Sequence, residues 1–178
     1  MIFTETELKG AFVIEPEKEE DERGFFACTW CRKEFEAHGL NPSLAQCSAS
    51  YNKRKGTLRG MHYQIAPHAE AKLVRCTRGA IHEVILDLRP GSPTFKRWVS
   101  LKLTAENHRS VYVPEGFAHG FQALEDDTEV FYQISDFYHP ESACGVRWND
   151  PAFGIEWPLE VSVISRKDAS FKDFDRDR

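Results

Sequence analysis

The stretch AKLVRCTRGAIHEVILDL, residues 71–88, decides the fold class. It holds two runs rich in apolar and β-branched residues, back to back. Similar runs precede it, GAFVIEP (10–16), GFFACTW (24–30) and AQCSASY (45–51), and others follow, RWVSLKL (97–103), SVYVPEG (110–116), GFQALE (120–125) and EVFYQISDFY (129–138). Turn formers separate them, among them Lys55-Gly56, the RPGSP of 89–93 and the EDD of 125–127. That succession predicts a mainly β sandwich or barrel rather than alternating βαβ units. Helical pattern is scarce. CRKEFEAHGL (31–40) predicts one short helix that stops near Gly39.

At 178 residues the chain predicts a single domain over 1–178, large enough to bury a core, with SFKDFDRDR (170–178) as a mobile tail. Hydrophobic residues make up 41% and charged residues 29%, an ordinary balance for a folded protein. The net charge of −5, with no basic tract interleaved with aromatics, argues against a nucleic-acid partner. MIFTETELKG lacks a basic stretch followed by an apolar run, and no segment approaches 18 apolar residues. The expectation is a cytoplasmic protein off the membrane. Five cysteines, an odd number, make a disulfide framework improbable. Cys28 and Cys31 form a CxxC that could be redox-active or half a zinc site, but no second CxxC completes a tetrahedral set, and incidental thiols are the better reading.

Two segments resemble the paired motifs of the cupin superfamily of jelly-roll barrels. Gly56 stands six residues before His62, and VPEGFAHGFQA (113–123) supplies Pro114, Gly116 and His119. The metal-binding version of those motifs converges three histidines and a glutamate on one ion. Here Gln64 stands where the second histidine belongs and Ala123 where the final asparagine belongs. Two histidines alone hold a transition metal poorly, so no metal is expected at His62 and His119.

Longer ordered segments resemble the dTDP-4-dehydrorhamnose 3,5-epimerase family from about residue 2 to about residue 170. They are DERGFF (21–26), KGTLRGMHYQ (55–64), EAKLVRCTRGAI (70–81), SPTFKRWV (92–99), VPEGFAHGF (113–121), the region 129–138, GVRWNDPAFGIEWP (145–158) and ISRKD (164–168). The resemblance implies a cupin-type jelly-roll β barrel with a few short helices, forming a homodimer. It implies a cofactor-independent reaction that inverts the carbons flanking the ketone of a nucleotide-linked 4-keto-6-deoxyhexose. Such a reaction needs a base on one face, a group that stabilises the enolate oxygen, and an acid on the opposite face.

The resemblance assigns those parts. His62 matches the base, an imidazole being suited to proton transfer near neutral pH. Asp168 matches the carboxylate that fixes its tautomer; read alone, it would be a surface turn residue. Lys72, otherwise a surface lysine on an edge strand, matches the cation facing the C4 oxygen. Tyr132 matches the acid, and the alternation of 129–138 puts Val130, Tyr132 and Ile134 on one face, where core packing is the competing reading. Arg59, Arg23 and His119 match the pyrophosphate pocket, Arg23 arriving from the neighbouring subunit. Gln46 and Phe26 match the nucleobase pocket, Ser50 a substrate contact and Tyr138 a stacking surface.

Cys28, Ser48 and His82 depart from the family's usual residues, and they leave the nucleobase open. CDP- or UDP-linked sugars are alternatives to dTDP, and inversion at C3 or C5 alone is an alternative to both. A non-catalytic nucleotide-sugar-binding barrel and a metal-dependent cupin oxygenase are the readings from other classes. Joint retention of His62, Lys72, Tyr132 and Asp168 disfavours a binding module, which needs no acid and base on opposite faces.

Overall fold

The computed structural model describes residues 1–174. It begins with β1 (Ile2–Glu5), β2 (Phe12–Glu15), β3 (Glu19–Asp21), β4 (Gly24–Phe26), α1 (Arg32–Ala37), β5 (Gln46–Asn52), β6 (Thr57–Gln64) and β7 (Lys72–Arg78). It continues with β8 (Ala80–Asp87), β9 (Trp98–Thr104), β10 (Ser110–Val113), β11 (Phe117–Ala123), β12 (Thr128–Ile134), β13 (Ala143–Gly145), β14 (Val163–Ile164) and α2 (Arg166–Ala169). One sheet runs β1-β2-β10-β7-β12-β5 and a second runs β13-β6-β11-β8-β9, with β14 joining β6 in parallel. The mainly β expectation is met, in the two-layer arrangement of a jelly roll. None of the described helices is long and apolar enough to cross a membrane.

Period-two patterning builds the core between the layers. Val74, Val111 and Val130 of the first sheet pack against Ile81, Ile85, Leu103 and Phe121 of the second. The other face of β8 is buried too: Val84 and Leu86 meet Met61 of β6 and, from the C-terminal segment, Val146, Phe153 and Ile155. Covered on both faces, β8 is buried along almost its whole length, Glu83 and Asp87 included. The short helix forms as expected, with Phe35 packed on Leu73 and Tyr112 and with Gly39, just past its end, at φ 69°.

Two runs are strand for less than their full length. GFFACTW pairs only over Gly24–Phe26, in the hairpin β3–β4. EVFYQISDFY leaves the sheet after Ile134, where side chains take over the backbone bonding: Ser135 Oγ accepts the Ala71 N–H at 2.8 Å, and Asp136 Oδ1 accepts the Phe137 N–H at 2.8 Å. The start of the expected mobile tail, 170–174, lies against the body. The Phe174 N–H donates to Asp150 Oδ2 at 2.5 Å, and its ring meets Phe153 at 5.2 Å. The remainder of that tail, 175–178, lies outside the described residues.

Candidate active site

A β-bulge sets up the site. Arg59 and His62 are three residues apart on β6, yet their partners on β11, Phe121 and His119, are two apart. On a regular strand an odd spacing would send the two side chains to opposite faces. The extra residue in β6 turns both toward one cavity. Gly60 sits in the bulge at φ 124°, and a Cβ there would come within 2.6 Å of the Gly120 Cα. Only glycine combines that dihedral with that approach.

The cavity, about 240 Å³, lies between the sheets. The second sheet contributes Arg59, His62 and His119; the first contributes Ser50, Lys72 and Tyr132. A neighbouring cavity of about 270 Å³ shares His62 and Lys72 with it and adds Gln46, Glu70 and Tyr138. Together they form a cleft with His62 and Lys72 at its waist. A larger groove of about 1060 Å³, flanked by Leu88, Phe95 and Phe174, adjoins the second cavity at Tyr63 and Gln64, and neither His62, Lys72 nor Tyr132 lines it.

His62 Nε2 lies 2.8 Å from Asp168 Oδ1. The C-terminal segment delivers that carboxylate: β14 pairs with β6, and Ser165 then caps α2, its Oγ accepting the Asp168 N–H at 3.0 Å. The second carboxylate oxygen accepts the Gly60 N–H at 3.2 Å. Burial alone would lift the Asp168 carboxyl, but hydrogen bonds from His62 and the Gly60 N–H, with the His62 charge, hold it below its ordinary value. With Nε2–H donated to Asp168, the basic nitrogen of the neutral ring is Nδ1.

On the facing sheet the Tyr132 hydroxyl lies 3.1 Å from Ser50 Oγ. Burial pushes the phenol well up, beyond what the Ser50 bond recovers, so it stays protonated at neutral pH. Lys72 Nζ lies 2.8 Å from a Glu70 carboxylate oxygen, both side chains nearly buried. His119 Nδ1 lies 2.7 Å from Glu83 Oε1. Burial drives the Glu83 carboxyl up and the His119 imidazole down, favouring the uncharged pair. Arg59 stands at the exposed edge, its Nε donating to Asn52 Oδ1 at 2.7 Å.

The expected residues thus divide. His62, Lys72, Tyr132, Ser50, Arg59 and His119 line the first cavity, with Asp168 behind His62, while Gln46 and Tyr138 line the second, joined by the Tyr138 N–H to Gln46 Oε1 bond of 3.2 Å. Arg23 and Phe26 are not brought in. They stand on the β3–β4 hairpin, where Arg23 pairs with Asp21 and Phe26 is 75% exposed. Glu70, which lines the second cavity, and Glu83, buried behind His119, were missed. Glu83 alternates with Ile81 and Ile85 and so shares their inward face, a signal legible in AIHEVILDL. Gln64, at the second cupin histidine position, instead bonds the backbone of His68, Phe137 and His139. His62 and His119, the two remaining cupin histidines, each commit one ring nitrogen to a carboxylate.

A family profile described as dTDP-4-dehydrorhamnose 3,5-epimerase matches residues 5–176. The dTDP-4-dehydrorhamnose 3,5-epimerase of Methanothermobacter thermautotrophicus is 44% identical over 173 residues, covering 96% of this chain and 92% of its own length. The crystal structure of the enzyme of that name from Elizabethkingia anophelis superposes with a TM-score of 0.94 at 40% identity, covering 98% of this chain and 96% of the other. A Legionella pneumophila dTDP-6-deoxy-D-glucose-3,5-epimerase, solved in complex with dTDP-4-keto-L-rhamnose, superposes with a TM-score of 0.90 at 39% identity, covering 97% and 92%.

Proposed function

The chain belongs to the dTDP-4-dehydrorhamnose 3,5-epimerase family, and from that we propose that it converts dTDP-4-dehydro-6-deoxy-D-glucose to dTDP-4-dehydro-L-rhamnose by inverting C3 and C5. The observation that carries the reading is the pairing of a carboxylate-backed imidazole, His62, with a protonated phenol, Tyr132, on opposite walls of one cavity.

The chemistry moves protons only. His62 Nδ1 removes the proton beside the ketone, and Asp168 stabilises the imidazolium as it forms. The electron pair passes to the C4 oxygen, where the Lys72 ammonium meets the developing charge. Tyr132 returns a proton to the opposite face of the carbon, inverting it, and is reprotonated from solvent while His62 releases its proton. The reaction requires no oxidant, reductant or cofactor.

Arg59 and His119 grip the pyrophosphate, with Ser50 beside the sugar and Gln46 and Tyr138 toward the base. Arg23 and Phe26 serve the site of a second copy: a hairpin carrying an exposed Phe26 and an arginine whose ion-pair partner, among the described residues, is Asp21 of the same hairpin suits an arm that docks on another subunit of a homodimer. All five cysteines are free, which suits a reducing compartment such as the cytoplasm.

Proton exchange tests the reading. The chelator-treated protein is incubated in heavy water with dTDP-4-dehydro-6-deoxy-D-glucose, and C3 and C5 are followed by NMR. Deuterium at both carbons is expected. Exchange at one carbon only would reduce the activity to a mono-epimerase, and exchange at neither would overturn it.

A further inference from the structure

Two loops meet beside the cleft, one running from β6 to β7 over 65–71 and one from β12 to β13 over 135–142. The Gln64 amide fastens them together. Its Nε2 donates to the carbonyls of His68 at 2.9 Å and Phe137 at 3.1 Å, and its Oε1 accepts the His139 N–H at 2.7 Å. A second tie joins Ala71 and Ser135, through the side chain at 2.8 Å and the backbone at 3.0 Å. The backbone is therefore fixed beneath three half-buried side chains that the epimerase chemistry does not use: His68, Asp136 and His139.

Those side chains converge. His68 Nδ1 lies 3.4 Å from Asp136 Oδ2, and the His68 and His139 rings stack with centroids 3.4 Å apart. One ligand atom from each residue falls within 4.8 Å of the others. Among the described residues no lysine or arginine pairs with Asp136 or Glu141; their ion-pair partners are His68 and His139.

We propose that His68, Asp136 and His139 form a binding site for a divalent transition-metal ion, Zn²⁺ being the ion whose ligand preferences fit. Two imidazoles and a carboxylate with a position left for water are a donor set that zinc uses, and ligand bonds of about 2.0–2.2 Å put neighbouring donors about 3.3 Å apart in a tetrahedron. The His68–Asp136 gap already has that span. Asp136 Oδ1 is occupied by the Phe137 N–H, which leaves Oδ2 as the ligand. Glu141 lies 3.1 Å from His139 Nδ1, the carboxylate–imidazole arrangement that orients a ligating histidine and leaves its other nitrogen with the lone pair. One ring turns out of the stack to share the ion, a side-chain rotation on a fixed backbone. The site is distinct from His62 and His119. A bound ion rivets the loop that carries Tyr138 to the loop that leads into Lys72.

The test is calorimetric titration of tag-free, chelator-stripped protein with Zn²⁺, with the visible bands of Co²⁺ as a second readout. The expected result is one ion per chain and cobalt bands of tetrahedral character. His68→Ala and His139→Ala should each weaken binding by more than about tenfold, and Glu141→Gln by about tenfold. Asp136→Asn, which keeps an acceptor for the Phe137 N–H, supplies a variant that preserves the loop. Absence of binding to the wild-type chain overturns the site. So does undiminished binding in a folded His68→Ala/His139→Ala double variant, which would place the ion elsewhere on the chain.

Discussion

Asp168 holds His62 and the bulge beneath it at once: Oδ1 lies 2.8 Å from the imidazole Nε2, and Oδ2 accepts the Gly60 N–H at 3.2 Å. One carboxylate thus fixes the ring's tautomer and anchors the residue that turns Arg59 and His62 to the same cavity. Asp168→Asn keeps the shape but offers an amide that can donate to Nε2, which reverses the tautomer and takes the basic lone pair away from the substrate. The expected loss in kcat is about 10³–10⁴-fold with KM little changed. Steady-state kinetics check it; a loss under tenfold would remove Asp168 from the proton transfer.

Tyr132→Phe separates abstraction from return. The hydroxyl bonds Ser50 and is kept protonated by burial. Without it, His62 can still remove a proton and give back a deuteron on the same face. In heavy water the variant should incorporate deuterium into the substrate while inverted product falls by about 10²–10⁴-fold. Exchange and inversion falling together would show that the phenol is not the acid.

The strands were readable because their apolar residues keep a period of two and their turns carry glycine, proline or acidic clusters, as in Lys55-Gly56 and 89–93. The bulge was not. Gly60 in TLRGMH reads as any glycine, and its meaning depends on Gly120, a contact across two strands. Glu83 was legible as an inward position but not as a buried acid, because its partner His119 is 36 residues away. Asp168 stands 106 residues from His62, and no local pattern ties a turn aspartate to a distant imidazole. Only the family resemblance pointed there. Arg23 and Phe26 lie outside the pocket of their own chain, since the hairpin carrying them points into solvent.

The Lys72–Glu70 pair gives a prediction in which stability and activity part company. Both side chains are about one-tenth exposed and sit 2.8 Å apart. Lys72→Met removes the cation and leaves Glu70 as an uncompensated buried charge, which should cost about 3 kcal/mol. Adding Glu70→Gln should restore most of that stability. Turnover should remain about 10²–10³-fold down in both variants, because neither has a cation for the C4 oxygen. Denaturant melts and kinetics on the same preparations decide it, and activity returning with stability would reduce Lys72 to a structural role.

Acid stability should hinge on Asp87. Its carboxylate is fully buried and accepts from Arg89 Nε and Nη2, Ser92 Oγ and Thr94 Oγ1 at 2.6–2.9 Å. Burial alone would raise it, but the Arg89, Ser92 and Thr94 bonds outweigh that and hold the carboxyl at about 2, against an ordinary 3.8. A folded value below the unfolded one means the stabilisation is fully present above about pH 4, where both states are ionised, and is lost as pH falls toward 2. The shift is worth about 2 kcal/mol at neutral pH. Asp87→Asn should therefore lower stability by about that amount at pH 7 and flatten its dependence between pH 4 and pH 2. Urea melts across that range measure both effects, and parallel acid curves for the variant and the wild type would exclude Asp87 as the titrating group.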